Sequence, residues 1–369
     1  MVAALEAAAS TADWLIFHRG AETTTLSFAA AWDLALRWCA ALRQSGVEPG
    51  DRVAVIQPNG PGFVGAFFGA QLAGATAVPL AWPVVAAAGE RNHALLEAQV
   101  LHAQVSAVAT QPGFGERLGA PAVTEAARTA SAPGNVHEED PAFLQYTSGT
   151  TGAPRAAVIS QRAAVASAQA MGLALRFGSA DVGVSWLPLF HDMGLVGVLL
   201  CSLLYRFPIH VLSPAEFLLR PARWLELLAS VRATLTVAPN FGYELAVRRV
   251  RGEYDLSSLR RALNGSEPVH RATLAAFERR FATRPGTVLP VYGLAENTLG
   301  VCFSDDPAPA TDLSWEGRAV PTVGPPLPGV EIKVLAEDGR AGEIAVRGAS
   351  LMSGYYRDPD ATAAALHDG

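Results

Sequence analysis

Short apolar runs alternate with helical patterns along this chain, which predicts an α/β fold of helix-covered, mostly parallel sheets. Three observations carry that prediction. Apolar residues recur at helical spacing over 26–44, at Leu26, Ala30, Leu34, Leu36, Trp38 and Leu42. Apolar runs too short for helices stand between such stretches, as at 51–56 and 76–80. Gly46, Pro49 and Gly50 punctuate the change from one pattern to the other.

Taken in order, the helix over 26–44 turns into a strand at 51–56, a helix at 63–73 and a strand at 76–80. A helix at 94–103 and a strand at 105–109 repeat the unit. Residues 113–140 are richer in Ala, Pro, Gly and acidic side chains and predict a surface connection. Strands at 143–146 and 156–159 flank a polar loop. An alanine-rich helix at 162–175 and a strand at 182–188 follow. An apolar helix over 193–205, a strand at 209–212, a helix at 221–231 and a strand at 235–238 continue the alternation.

Half the residues are hydrophobic and 17% are charged, which excludes a disordered chain. A net charge of −6 without a basic run argues against nucleic acid. Cys39, Cys201 and Cys302 are far apart in apolar surroundings, so buried free thiols in a reducing compartment are expected. Residues 63–89 carry no charge, but Pro79, Pro83 and several glycines argue against a spanning helix. The start of the chain lacks the basic region of a signal peptide. A cytoplasmic protein with no membrane span is the expectation.

The chemistry centres on Y-T-S-G-T-T-G-A-P-R at 146–155. Gly149 and Gly152 free the backbone to turn, while Thr147, Ser148, Thr150 and Thr151 offer hydroxyls and N–H groups. Closed by the cation of Arg155, such a loop suits the oxygens of a nucleotide polyphosphate; a flexible linker is the alternative. It is not the Walker pattern. Three other segments put polar residues after short apolar strands, where α/β sheets hold ligands. They are His191-Asp192, then Asn264 to Pro268 (N-G-S-E-P), then Tyr292 to Thr298 (Y-G-L-A-E-N-T). Tyr292 could stack on a base, and Glu296 suits a hard divalent ion. His191 reads as functional rather than as a packed histidine, and Cys201 and Cys302 as core.

Together with W-L-P-L-F-H-D-M-G-L at 186–195 and the framework stretches at 46–79 and 342–355, these motifs resemble the adenylate-forming superfamily. Its members include acyl-CoA synthetases, fatty acyl-AMP ligases, peptide-synthetase adenylation domains and luciferases. The resemblance implies an acyl-CoA synthetase-like large domain with two helix-covered sheets (about 1–160 and 161–300) and a β-rich part at 301–369 forming a small distorted barrel. It implies that Thr147, Ser148, Gly149, Thr150, Thr151 and Gly152 contact ATP phosphates, with Arg155 assisting and Thr151 and Glu296 at Mg2+. Tyr292 would stack on adenine beside Gly293, Leu294 and Ala295, and Gly265, Ser266 and Glu267 would line its edge. His191, Asp192, Met193, Asn240, Phe241, Gly242 and Gly265 would border the acyl substrate. Asp192 could position its loop or, as in amino-acid-activating relatives, lie near an α-amine.

The implied reaction is attack of a carboxylate on the α-phosphorus of ATP, giving acyl-AMP and pyrophosphate. A carboxylate is already nucleophilic at neutral pH, so the site needs alignment and charge neutralisation more than a base. CoA or the phosphopantetheine of a carrier protein would accept the acyl group. The short stretch 303–323 leaves little room for the insertion of fatty acyl-AMP ligases and favours CoA. Amino-acid adenylation, and a non-catalytic acyl- or nucleotide-binding module, are the alternatives.

Two features depart from the resemblance. Arg155 stands at the usual lysine position and Ala156 at a usual glycine, and Gln161 replaces a common histidine. Ala156 would cost about 1–2 kcal/mol if its φ were positive. Relatives also continue into a Y-R-T-G-D segment and a small domain with a catalytic lysine. The only lysine here, Lys333, reads as an exposed strand residue. The expectation is a large N-terminal domain with weak adenylation by itself. Arginine can grip phosphate with two parallel N–H bonds, so Arg155→Ala should weaken ATP use more than acid binding. An ATP titration of acyl-AMP yield checks this, and superimposable curves for the two proteins would refute it.

Overall fold

Helix α1 (Val2–Ala8) leads into a hairpin of β1 (Asp13–Arg19) and β2 (Glu22–Ser27), turned by Gly20 at φ +59°. The computed structural model describes residues 1–83, 89–114, 118–147, 155–303, 313–315, 318–336 and 342–367, with backbone alone at 89–92, 313–315 and 318–320. Ser27 caps α2 (Phe28–Gln44) by accepting from Ala30 N at 3.1 Å.

Next come β3 (Arg52–Val55), α3 (Pro61–Leu72), β4 (Thr76–Pro79), α4 (Gly89–Ala103), β5 (Ala107–Ala109), β6 (Ala122–Val123), β7 (Pro141–Thr147) and β8 (Arg155–Ser160). Their sheet has the order β6-β5-β3-β4-β7-β8 and is parallel except for the β7–β8 pair. Val53, Ala77 and Ala107 sit side by side in it, fully buried, as continuous apolar runs covered on both faces require. Helices α2 and α3 pack so closely that a Cβ on Gly69 would lie 2.6 Å from Trp38 Cβ.

The second half contains α5 (Gln161–Leu175), β9 (Gly183–Ser185), α6 (Asp192–Gly194), a π-helical turn (Leu195–Leu200), α7 (Cys201–Tyr205), β10 (Ile209–Val211), α8 (Pro214–Leu219) and α9 (Ala222–Ser230). It continues with β11 (Leu235–Ala238), α10 (Asn240–Arg249), β12 (Arg261–Asn264), α11 (Arg271–Arg280) and β13 (Val288–Pro290). These strands form a seven-stranded sheet, order β13-β12-β11-β9-β10-β1-β2. The division at residue 160 is therefore not the division between sheets. The hairpin at 13–27, where no strand was expected, crosses to the second sheet. There β1, four of its residues buried, lies parallel to β10, and the threonine-rich β2 forms the edge.

Two expected elements are shorter or broken. The strand over 182–188 ends at Ser185, where Leu187 N donates back to Ser185 Oγ at 3.1 Å and not to a neighbouring strand. The expected helix over 193–205 divides into α6, the π turn and α7, with Gly194 and Gly197 in its first half.

The remaining strands are β14 (Tyr292–Gly293), β15 (Gly300–Cys302), β16 (Leu313–Trp315), β17 (Arg318–Val320), β18 (Val330–Leu335) and β19 (Glu343–Gly348), before α12 (Pro359–Ala365). Among the described residues they pair only as three antiparallel ribbons, so the expected barrel does not close. Lys333 is exposed on β18. The three cysteines are free and buried, and no described helix is long and apolar enough to cross a membrane.

His18 and His210 stack on the neighbouring strands β1 and β10, with Nε2 of one 2.9 Å from Nδ1 of the other. Burial first, then the His18 imidazole, push His210 from 6.5 down to about 4. Burial and the Arg223 guanidinium also lower His18, opposed by Glu216. A base whose folded pKa lies below its unfolded one leaves the fold at full stability above about 6.5, and that stability is lost as pH falls toward 4. His210→Gln should flatten the decline in Tm across this window. Equal slopes for parent and variant would show that the pair does not contribute.

Candidate active site

Parallel strands carry their following loops to one edge of the sheet, and four of those loops meet here. They follow β9 (His191), β11 (Asn240), β12 (Gly265 to Glu267) and β13 (Tyr292). The β7–β8 hairpin arrives from the other sheet, and Gln145 Nε2 donates to Phe190 O at 3.3 Å across the junction. Ser148, Gly149, Thr150, Thr151 and Gly152 lie outside the described residues. Thr147 and Arg155 close the ladder at the base of that loop as direct partners. Ala156 is a buried β8 residue without positive φ, so the usual glycine's freedom is not needed there. Gln161 donates to Gln71 Oε1 at 2.7 Å beneath the hairpin.

Arg155 and Glu296 are linked by a segment for which the sequence suggested only a framework role. Tyr355 OH donates to Glu296 Oε1 at 2.6 Å, and the Arg155 guanidinium lies 5.5 Å from the Tyr355 ring centre. Arg155 Nε also faces Asp358 Oδ2 at 3.6 Å, an exposed pair and so a weak tie. Met352 N donates to Glu296 O, and Ser353 and Tyr356 N–H groups donate to Val158 and Ala156 carbonyls. Burial, then the bond to the Glu296 carboxylate, push the Tyr355 hydroxyl up to about 12, so it stays a donor.

Among the described residues the other Glu296 oxygen takes no hydrogen bond, and no group of three or more His, Cys, Asp or Glu is present. One oriented carboxylate with a spare oxygen suits Mg2+ held mainly by phosphate and water, and does not suit a metal caged by protein alone.

His191 precedes α6 and its Nδ1 donates to Asp192 Oδ1 at 2.6 Å, and Met193 N donates to that same carboxylate oxygen at 2.6 Å. Burial pulls the His191 pKa down, but the hydrogen bond and charge of Asp192 outweigh it and the net shift is upward. Asp192 and Met193 then line a cavity that opens beside Ser266, Tyr292 and Gly293. Its deeper wall is apolar, formed by Met171, Leu175, Phe177, Val237, Leu263 and Leu299, with Cys201. Burial raises the Cys201 thiol, which stays protonated. Ser266 holds φ +70° at the mouth, a backbone strain of the kind found at ligand sites.

Other expected pocket residues lie outside this lining. Asn240 is a buried strut that donates to Glu244 Oε1 and accepts from Asn264 Nδ2 and His270 N. Phe241 sets its half-exposed ring edge-on to Trp186. Gly242 makes room for Trp186, since a Cβ there would lie 2.7 Å from the indole. Gly265 packs on Val291, 2.6 Å from its Cγ2 by the same measure. Glu267 accepts from Phe241 N at 2.6 Å and so caps α10. Leu294 and Ala295 form the turn between Tyr292 and Glu296, held by Leu294 N to Leu299 O. The deep wall was missed by the sequence reading because it draws one or two residues each from α5, α7, β11, β12 and two loops. In sequence these are indistinguishable from ordinary core.

Removing the Tyr355 hydroxyl deletes a hydrogen bond to a charged acceptor, worth about 1.5 kcal/mol or less at this half-exposed site. Tyr355→Phe should speed amide exchange at Ser353 and Tyr356 several-fold. Unchanged protection would mean that the backbone pairs alone hold the segment.

The AMP-binding enzyme family model matches residues 5–356. A long-chain-fatty-acid–AMP ligase of Mycobacterium marinum is 34% identical over 361 residues, covering 85% of this chain and 62% of the relative. A 4-hydroxyphenylalkanoate adenylyltransferase of Mycobacterium bovis is 32% identical, covering 85% and 59%. This chain thus spans about three fifths of the length of these relatives. Among solved structures, one from a study of fatty acyl-adenylate ligases of E. coli and L. pneumophila superposes with a TM-score of 0.88 at 32% identity, covering 98% of this chain and 74% of that one. With both sheets, the converging loops and nearly the whole length matched, the chain belongs to the AMP-binding enzyme family.

Proposed function

We propose that this protein activates a hydrophobic carboxylic acid with ATP. The carboxylate oxygen attacks the α-phosphorus, the bond to the β-phosphate oxygen breaks, and acyl-AMP and pyrophosphate result. One observation carries the reading: the cavity is polar only at its mouth, by Asp192, Ser266 and Tyr292, and apolar at depth. That gradient suits a carboxylate held at the opening with a hydrocarbon tail inside.

In this reading Tyr292 stacks on adenine, flanked by Gly265, Ser266 and Gly293. Thr147 to Thr151 and Arg155 hold the phosphates. His191, held by Asp192 at 2.6 Å, lies beside the acyl carboxylate. Mg2+, held by Glu296 and Thr151, would neutralise phosphate charge when bound. Asp192 is already engaged by His191 and the Met193 N–H, which disfavours it as a partner for an amino acid's amine. Three free, buried cysteines suit a reducing compartment, and we place the protein in the cytoplasm.

The acceptor we propose is CoA, on the short 303–323 connection. Transfer to a carrier-protein phosphopantetheine is the second reading, favoured by the likeness to a fatty acyl-adenylate ligase structure. Calorimetry with ATP, with AMP and with a non-hydrolysable acyl-adenylate should give tightest binding for the last, because it fills both parts of the site. A protein that binds free acid but ignores every nucleotide would overturn the activity. Mass spectrometry of thioester products, from the enzyme offered both acceptors, separates the two transfers.

A further inference from the structure

We propose that Asn59, in the loop between β3 and α3, is a positioning residue for acyl activation. Its carboxamide holds the backbone of residues 187–189 and so sets where His191, Asp192 and Met193 stand against the acyl carboxylate. The inference rests on the acyl-adenylating reading above and deepens it.

The ladder between β9 and β10 ends at Ser185, yet the chain must still run on to His191. Leu187 and Leu189 on that stretch are buried, so their backbone groups need partners from the protein. Asn59 supplies one to each. Its Nδ2 donates to Leu187 O at 2.8 Å, and its Oδ1 accepts from Leu189 N at 2.9 Å. The same Nδ2 donates to Leu212 O, one residue past β10, at 3.2 Å. These partners also fix which way the amide points: the atom facing two carbonyls must be the nitrogen, and the atom facing an N–H the oxygen. Asn59 therefore does for this loop what a neighbouring strand would do. It does so across the junction, because β3 belongs to the six-stranded sheet and β9 and β10 to the seven-stranded one.

Two contacts carry the effect to the site. His191 N donates to Pro188 O at 3.2 Å. Gly194 lies against the same carbonyl so closely that a Cβ there would collide with it. Pro188 stands between the two residues that Asn59 holds, so the turn that puts Asp192 and Met193 on the cavity wall is seated on a carbonyl whose place Asn59 decides. Gln145 reaches the same loop at Phe190 O, but at 3.3 Å and with a second contact of 3.4 Å to Tyr146 O. The Asn59 bonds are shorter and bracket Pro188, which makes Asn59 the stronger tie. Its three hydrogen-bond partners among the described residues lie after β9 and β10, away from the loops after β12 and β13 that carry Ser266 and Tyr292. The acyl side of the site should feel its loss and the nucleotide side should not.

The test is calorimetric titration of the full chain with AMP and with a non-hydrolysable octanoyl-adenylate. Asn59→Ala should weaken the octanoyl-adenylate about tenfold and leave AMP within about twofold. Asn59→Asp adds a readout that general damage to the fold would not move. An ionised carboxylate only accepts, and would face the carbonyls of Leu187 and Leu212 without a proton to offer; a neutral carboxyl restores a donor beside an acceptor. At about pH 8 this variant should bind the octanoyl-adenylate about tenfold more weakly than the parent, and at about pH 5 it should approach the parent measured at the same pH. Equal losses for both ligands in folded Asn59→Ala, or a deficit in Asn59→Asp that does not shrink at low pH, would overturn the positioning role. Failure of both variants to fold would overturn it too, by making Asn59 a stability residue. A parent that gains no affinity over AMP from the octanoyl group would instead refute the acyl-adenylating reading itself.

Discussion

A parallel sheet covered by helices on both faces leaves its strand interiors no contact with water. Polar and ionisable side chains then gather at the strand ends, unless they pair within the sheet as His18 and His210 do. Two such sheets meet here, and Gln145 on β7 bridges to the carbonyl of Phe190 at their junction. The loops bearing His191, Ser266, Tyr292 and Glu296 all lie on this seam. The cavity follows from the same constraint. Its polar mouth is where strands end, and its apolar depth is where helices cover the sheet.

Several motif residues do their work one step back from any ligand. Gly242 and Gly265 are spaces filled by Trp186 and Val291. Glu267 caps α10, and Asn240 ties that helix to β12 and to the start of α11. Such residues place the cavity wall without lining it, so substituting them changes geometry before chemistry.

At the nucleotide side, charges are held in a chain of weak and strong contacts. Glu296 is oriented by a hydrogen bond from Tyr355, while Arg155 rests on the same ring and faces Asp358 through an exposed pair. The strong contact fixes the carboxylate; the weak one leaves the guanidinium free to exchange partners when a more highly charged group arrives.

Helices, most strands and the polar segments were legible in the chain itself, because periodicity, caps and glycine-rich turns are local properties. Lys333 as an exposed strand residue and the three cysteines as buried thiols belong to the same class. The sheet membership of 13–27, the break in the helix after His191, the roles of Tyr355 and Asn240, and the wall of the cavity were decided only by tertiary structure. Each depends on residues far apart in sequence, such as Tyr355 with Glu296 or Gln145 with Phe190, that touch only once the chain is packed. An amphipathic pattern can say that a residue is buried; which neighbour it is buried against, and whether a void lies between them, is settled by packing.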